Sequence, residues 1–346
     1  MQSIGLYILL QGNYAMNAIT RLTVFVLVCS AVYVTHATAQ PASTSSGQGY
    51  PAKPVRIIVP FTPGGPNDSV LRPLSQKLHE LLGQPFVVDY RPGGNAIIGT
   101  DYVAKSAPDG YTLLIISSTF TINTATYAKL PYDAMRDFAP ISSIATGDIL
   151  LVVNLVVPAR TVAEFVALAR ARPGKLTYGS SGVGGSLHLA AELLSSAAGI
   201  RMVHVPYKGA VLAITEVIGG HVDGMFIASS AAIPQAKAGK VRALGVASRK
   251  RTPALPDVPT FAEAGYAGVE VDSRFGIVAP AATPRDVITR LNGAMVKALG
   301  ATDVRERYTV MGMETVTTTP QEYTDHLREE MVKLRKVVAA AKLPLQ

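Results

Sequence analysis

The chain has 346 residues, of which 48% are hydrophobic and 16% charged, and its formal net charge is +8. This balance is typical of large folded proteins and argues against disorder for most of the chain. Basic residues are scattered, apart from a short cluster at residues 249–251 without interleaved aromatic side chains. We therefore expect no nucleic-acid partner, whereas a small anionic partner fits the positive charge.

The first forty residues have the pattern of an export signal. Arg21 precedes an apolar run over residues 22–34, and residues 37–39 form an A-x-A cleavage site. The run is too short to span a bilayer. We expect a signal peptide over residues 1–39, a flexible leader over residues 40–49 and a mature protein in the periplasm. The only cysteine, Cys29, would leave with the signal, so no disulfide is expected.

Apolar runs and amphipathic stretches then alternate along the chain. The runs have the length and the β-branched content of strands that are buried on both faces, which favours mainly parallel sheets flanked by helices. The predicted strands span residues 55–61, 85–89, 111–117, 148–154, 176–180, 202–206, 222–228, 241–247 and 269–279. Thr161 with Glu164, and Thr319 with Glu322, predict capping boxes at two helix starts. Such an alternation over about 300 residues predicts an α/β fold of two doubly wound lobes.

Loops that follow strands in such sheets are the usual ligand sites. One of them, "GSSGVGGSLHLAAELL" (residues 179–194), joins glycines and serines to an apolar helical stripe. The free amides and the dipole of a helix start attract a carboxylate or phosphate. The loop does not match the dinucleotide, P-loop or nucleophile-elbow patterns. A loop that merely connects two elements is equally consistent with it.

Another such loop, "TPGGPNDS" (residues 62–69), comes earlier in the chain and has a stiff Pro-Gly turn before a predicted helix. Here Asp68 either caps that helix or faces the cleft, where it would meet a donor group or a water on the ligand. Both interpretations stay open at this stage.

The histidines lack metal-binding spacing, so neither a metal nor a cofactor is expected. His188 lies near the glycine-serine loop and is either a ligand contact or a structural hydrogen-bonding residue. An exported hydrolase that uses Ser181 or Ser186 with His188 or His204 is an alternative. No carboxylate is in a position to orient such a base.

Seven blocks of the sequence resemble, in order and spacing, the Bug family of extracytoplasmic solute receptors of tripartite tricarboxylate transporters. The resemblance covers residues 50 to about 342. The blocks are "YPAKPVRIIVPFTPGGPND", "RPGGNAIIGTDYVAKSAPDGYTLL", "LPYDAMRDFAPIS", "LTYGSSGVGGSLHLAAELL", "VHVPYKGAVLAITEVIGGHVDGMF", "RALGVASRKRTPALPDVPTFAEAGY" and "IVAPAATPRDVITRLN".

The resemblance implies a type II periplasmic binding protein without enzymatic activity, whose two lobes close on a central cleft. It implies a small carboxylate ligand (a dicarboxylate, an acidic amino acid or an aromatic acid) and the permease subunits of a tripartite tricarboxylate transporter as partners. We expect a monomer, with domain I over residues 50–152 plus 277–346 and domain II over residues 153–276. A periplasmic sensor subunit of a signalling system is the alternative.

The resemblance also implies which residues contact the ligand. Domain I would supply Phe61, Gly64, Gly65, Asp68, Ser117, Ser118 and Thr119. Domain II would supply Ser181, Gly182, Gly184, Gly185, Ser186, His188, Tyr207, Lys208 and Gly209. Arg274 stands where the family commonly has a tryptophan. We hypothesise that its guanidinium reaches a second anionic group of the ligand, with a solvent-facing or ion-paired Arg274 as the alternative.

Overall fold

The structure is a computed structural model that describes residues 49–340. Its strands are β1 (Val55–Val59), β2 (Phe86–Tyr90), β3 (Thr112–Ser117), β4 (Phe138–Gly147), β5 (Ile149–Val153), β6 (Thr177–Ser180), β7 (Val203–Pro206), β8 (Gly224–Ala228), β9 (Arg242–Val246), β10 (Ser273–Pro280) and β11 (Met313–Thr315). Its helices are α1 (Pro66–Leu82), α2 (Ile97–Ala104), α3 (Ser118–Thr126), α4 (Val162–Ala171), α5 (Ser186–Ala198), α6 (Ala210–Gly219), α7 (Ser229–Lys237), α8 (Arg285–Gly300), α9 (Thr302–Val310) and α10 (Pro320–Ala340). The predicted export signal, Cys29 and the predicted leader up to residue 48 lie outside the described residues.

The strands form two sheets, and each sheet with its helices makes one lobe. The order is β11-β4-β10-β3-β1-β2 in the first lobe and β7-β6-β8-β5-β9 in the second. All nine predicted strands are confirmed to within a few residues. The sequence missed β4 and β11; β4 contains Pro140 and several polar residues, and β11 is only three residues long.

The expectation of mainly parallel sheets was wrong. Strand β1 is parallel to β2 and β3, and β6 is parallel to β7 and β8. However, β10 is antiparallel to β3 and β4, and β5 is antiparallel to β8 and β9. Strand β5 is buried at every residue, so a continuous apolar run reports burial on both faces and not strand direction.

The chain crosses between the lobes at β4–β5 and at β9–β10. Only Asp148 separates β4 of the first sheet from β5 of the second. The expected domain boundaries at residues 152/153 and 276/277 therefore cut through β5 and β10. We propose boundaries at Asp148 and between residues 247 and 272 instead.

The core of each lobe is apolar, and helix α10 packs against both lobes. Its Tyr323 and Leu327 join a buried cluster of the first lobe, whereas its Val338 joins the buried cluster of the second. The capping box at Thr319 is confirmed, because the Thr319 hydroxyl accepts from the Glu322 amide and the Glu322 carboxylate accepts from the Thr319 amide. At Thr161 only the N-cap bond from the Glu164 amide is present, and the Glu164 carboxylate accepts from the Arg160 amide. Within residues 49–340, no helix combines the length and the apolar character needed to cross a membrane.

Candidate functional site

A small cavity lies between the two lobes. The volume that the centre of a water molecule can occupy in it is about 40 Å³. This space is the size of a few water molecules, because the lobes lie close together around it. The first lobe lines it with Phe61, Thr62, Gly65, Pro66, Asn67, Ser117, Thr119, Ser273 and Phe275. The second lobe lines it with Ser181, Ser186, Leu187, Ala210 and Ala228.

The N-termini of five helices meet at this cavity. Helices α1, α3, α5, α6 and α7 each contribute a lining residue from the N-cap or the first turn. None of these five N-caps makes a side-chain cap hydrogen bond in the described chain. In α1, Pro66 has no amide hydrogen, and in α7 the Ser229 amide already donates to the Asp148 carbonyl. The positive ends of five helix dipoles and first-turn amides, chiefly of α3, α5 and α6, concentrate around one space, which favours an anion there.

The side chains that line the cavity are neutral, and two of them have unpaired polar atoms. Asn67 is 5% exposed, and its buried Nδ2 has no hydrogen-bond partner, as is also true of Thr62 Oγ1. Ser186 and Thr119 face each other from opposite lobes, with their hydroxyl oxygens 3.3 Å apart. Among the described lining residues, none carries a charge. The site therefore offers donors from amides and hydroxyls, together with the aromatic walls of Phe61 and Phe275.

The first loop (residues 62–65) is held in shape by Asp68 at the start of α1. The buried carboxylate accepts hydrogen bonds from the Gly64 amide at 2.7 Å, the Tyr90 hydroxyl at 2.6 Å and the Arg72 guanidinium at 3.0 Å. Burial by itself raises the pKa of Asp68, but these hydrogen bonds outweigh it and leave the pKa below its ordinary value. Asp68 and Gly64 thus shape the loop, while Gly65 lines the cavity.

The second loop (residues 181–185) contacts both the cavity and the opposite lobe. Ser181 lines the cavity, whereas a side chain at Gly182 or Gly185 would collide with Asn95 of the first lobe. Gly184 has a positive φ of 78°, which favours glycine. The three glycines predicted as ligand contacts therefore serve the approach of the lobes and the shape of the loop.

The histidines lie behind the second loop and not in the cavity. His188 Nδ1 accepts a hydrogen bond from the Gly184 amide at 3.0 Å. His204 Nε2 lies 2.6 Å from the hydroxyl of Ser180, which is fully buried. Neither ring is paired with Ser181 or Ser186 in the described hydrogen bonds, so the geometry does not assemble the hydrolase that the sequence left open.

Four other predicted contacts lie next to the cavity without lining it. The Ser118 hydroxyl donates to the Asp272 carbonyl and accepts from the Arg274 amide, which joins α3 to β10. Gly209 packs directly against the Thr62 hydroxyl of the opposite lobe. The Tyr207 amide donates to the Ser180 carbonyl, and Lys208 is exposed.

Arg274 is directed away from the cavity, which corrects the hypothesis that it reaches the ligand. Its neighbours Ser273 and Phe275 line the cavity, and successive side chains of a strand point to opposite faces. The guanidinium pairs with Asp272 at 3.0 Å and lies 3.1 Å from His326 Nε2. It lines a separate depression at the two crossings between the lobes, the hinge groove, which also includes residues 248–251.

Sequence reasoning missed several cavity residues. These are Thr62, Pro66, Asn67, Leu187, Ala210, Ala228, Ser273 and Phe275. Five of them occupy the N-cap or the first turn of a helix, so helix start signals taken together would have pointed to them. Ser273 and Phe275 follow from the two-residue period of β10 once its register is known.

The family and the relatives of the chain agree with this geometry. The family model described as "Tripartite tricarboxylate transporter family receptor" matches residues 70–343. The "UPF0065 protein in tcbD-tcbE intergenic region" of Pseudomonas sp. (strain P51) is 40% identical over 295 residues, which cover 85% of this chain and 88% of the relative. "Protein BugT" of Bordetella pertussis is 34% identical over 304 residues, which cover 87% and 93% of the two chains.

A solved structure shares the fold. It is that of the R. palustris protein Rpa4515 with adipate, which is 35% identical and superposes with a TM-score of 0.83. The match covers 86% of this chain and all of that one. The expected two-lobed fold of a periplasmic binding protein is therefore confirmed, and so is the resemblance to Bug proteins. The chain belongs to the tripartite tricarboxylate transporter receptor family, whose members are solute-binding proteins.

Proposed function

We propose that this protein captures a small carboxylate in the periplasm and delivers it to the permease subunits of a tripartite tricarboxylate-type transporter. The observation that carries the proposal is the meeting of five helix N-termini, none of them with a side-chain cap, at one cavity between the lobes. A carboxylate is the small organic group that such donors complement.

Hydrogen bonds from amides and hydroxyls are strong enough to bind a carboxylate without a cationic side chain. A hydrogen bond to a charged group contributes about 1.5 to 3 kcal/mol. Three or four such bonds are compatible with binding at about micromolar concentration after the costs of association. The unpaired Asn67 amide and the Ser186 hydroxyl are the side-chain donors that we expect to complete the set.

The ligand that the site favours is an acid without an ammonium group. Among the described residues that line the cavity there is no Asp or Glu. The nearest carboxylate in sequence, Asp68, already accepts from three donors. An amino-acid ammonium would therefore be desolvated without a charged partner. The adipate bound by the R. palustris relative supports an acid of this type.

Closure of the lobes is the proposed signal to the transporter. Both lobes contribute lining residues, so a ligand between them has contacts in the closed form that the open form cannot supply. Separated lobes would expose the helix ends to water and release the acid.

A thermal-shift screen tests the proposal. The protein is incubated with adipate and other mono-, di- and tricarboxylates, with the matching uncharged amides, and with acidic amino acids. An acid at 100 times its dissociation constant stabilises the protein by about 2.7 kcal/mol, whereas the amides leave the melting temperature unchanged. A screen in which no carboxylate raises the melting temperature would contradict the proposal.

The Ser186→Ala variant then locates the site. Loss of one donor to a charged group is expected to weaken binding of the identified acid about tenfold. The matched control is Ser196→Ala, which changes an exposed serine on the same helix and should leave the affinity unchanged. Equal affinities for all three proteins, measured by calorimetry, would place the acid elsewhere.

A further inference from the structure

The peptide group that joins Val183 to Gly184 is held from two sides. Its N–H, that of Gly184, donates to His188 Nδ1 at 3.0 Å within the second lobe. Its carbonyl, that of Val183, accepts from the Tyr127 hydroxyl of the first lobe at 2.9 Å. In the next peptide group, the Gly184 carbonyl accepts from the Thr126 hydroxyl at 3.0 Å. The loop that carries Ser181 to the cavity is therefore fixed by its own lobe on one side and by the opposite lobe on the other.

The role of His188 as an acceptor fixes its protonation state. A backbone amide can only donate, so Nδ1 must be free of a proton, and the neutral ring carries its proton on Nε2. That nitrogen lies 3.8 Å from Glu192 Oε1 on the same helix. A proton added to Nδ1 would put two donors, the imidazolium and the Gly184 amide, 3.0 Å apart.

The titratable groups around His188 come from three elements. The His204 ring on β7 stacks on it with centroids 4.1 Å apart, and the Tyr178 ring on β6 stacks on His204 at 4.9 Å. The Tyr178 hydroxyl donates to Glu192. Burial lowers the pKa of His188, and Glu192 only partly offsets this. Burial and the neighbouring His188 lower the pKa of His204 to about 4.

We propose that His188 is a positioning residue that makes the second loop, and hence ligand binding and release, sensitive to acid. When His188 is neutral, its Nδ1 holds the Val183–Gly184 peptide in the orientation in which the Val183 carbonyl meets Tyr127 and the lobes close. When His188 is protonated, the amide loses its acceptor, the peptide is free to turn, and closure is disfavoured. The effect of protonation on the loop does not depend on the proposed function; only its effect on ligand binding rests on that function.

The direction of the pH dependence follows from the lowered pKa. The native loop binds a proton on His188 less readily than a free histidine with a pKa of 6.5 does. The stabilisation from the neutral ring is therefore complete above about pH 6.5 and is lost as the pH falls through the lowered pKa of His188.

The test is hydrogen exchange of the Gly184 amide, followed by NMR in the ligand-free protein from pH 8 down to pH 4 and corrected for the intrinsic rate of exchange. In the wild type, protection is expected to fall about tenfold as His188 titrates. The ring signal of His188 should titrate with the same midpoint. In His188→Asn, the amide oxygen replaces Nδ1 as acceptor but does not titrate, so protection should persist across the range.

Two further variants separate the contributions of the neighbours. His204→Gln retains an acceptor near Ser180 and should keep the pH dependence, as should Tyr127→Phe, which removes the hydroxyl of the opposite lobe that bonds to the Val183 carbonyl. Disappearance of the pH dependence in His204→Gln, or its persistence in His188→Asn, would overturn the proposal. A Gly184 amide whose corrected exchange does not follow the His188 titration in the wild type would overturn it as well. None of these results requires a bound carboxylate, so failure here and failure of the proposed function are distinguishable.

Discussion

The two loops that lead into α1 and α5 line the same cavity but are held in different ways. The first loop is fixed inside its own lobe by the Asp68 carboxylate, which bonds to the Gly64 amide, Tyr90 and Arg72. The second loop is fixed by the neutral ring of His188 and by Thr126 and Tyr127 of the opposite lobe. One side of the site is thus preformed, and the other is completed when the lobes meet.

This difference assigns separate roles to the two sides. A loop held by an ionised carboxylate keeps its shape in the open protein and is ready for the acid. A loop that depends on contacts across the cleft changes its energy when the lobes close, so it couples binding to closure. The following variants test that division.

The largest effect is expected for Asp68→Asn, which should lower the free energy of unfolding by about 2 kcal/mol at pH 7, because it removes charge-assisted hydrogen bonds to a buried carboxylate. The pKa of Asp68 is below its ordinary value of 3.8. Its contribution is therefore present above that pH and is lost as the pH falls through the lowered pKa. Urea unfolding at several pH values measures both effects.

The matched control for this variant is Asp325→Asn, which affects an exposed pair with Arg328 and should leave the unfolding curve almost unchanged. If Asp68→Asn unfolds like the wild type, the first loop is not held by its carboxylate and the contrast between the loops disappears.

A smaller effect is expected for Gly185→Ala, and on affinity rather than on folding. The added methyl group would lie 2.6 Å from Asn95 Oδ1 of the opposite lobe, which disfavours the closed form by about 1 to 2 kcal/mol. Binding of the identified acid should weaken about tenfold in calorimetry, with little change in the melting temperature of the free protein.

Gly293→Ala is the control for the added methyl group, because beyond the neighbouring backbone of its own helix no atom lies within 4 Å of the position that the methyl would occupy. Its affinity should equal that of the wild type. A Gly185→Ala protein that binds as tightly as this control would show that closure does not need the approach of Asn95 to the second loop.

The smallest effect is expected for Arg274→Ala, whose affinity for a dicarboxylate should match that of the wild type. The guanidinium lies in the hinge groove and pairs with Asp272, on the face of β10 opposite to the cavity. Calorimetry with adipate and with a monocarboxylate of equal length is the measurement. A loss of affinity for the diacid alone would restore Arg274 as a ligand contact.

Much of the fold could be predicted because buried strands appear in the sequence as continuous apolar runs. Nine strands were recognisable as apolar runs, and Phe61, Ser117 and Ser181 at strand ends were placed correctly at the cavity. Strand direction could not be predicted, because β5 is buried on both faces whichever way it runs.

The remaining site residues depend on how the lobes meet. Ala210 and Ala228 have no polar side-chain group that would indicate a ligand contact in the sequence. They line the cavity because α6 and α7 begin there. For Asp68 and His188 the sequence left a ligand contact and a structural role open. In the structure their hydrogen bonds shape the two loops.

A crystal structure of the protein with the acid identified by the screen is the most direct test of the central claim. We predict a carboxylate between the lobes, within hydrogen-bonding distance of Asn67 Nδ2, the Ser186 hydroxyl and first-turn amides of the helices that meet there. A carboxylate bound instead to Arg249 or Arg274 in the hinge groove, with the interlobe cavity empty, would contradict the account.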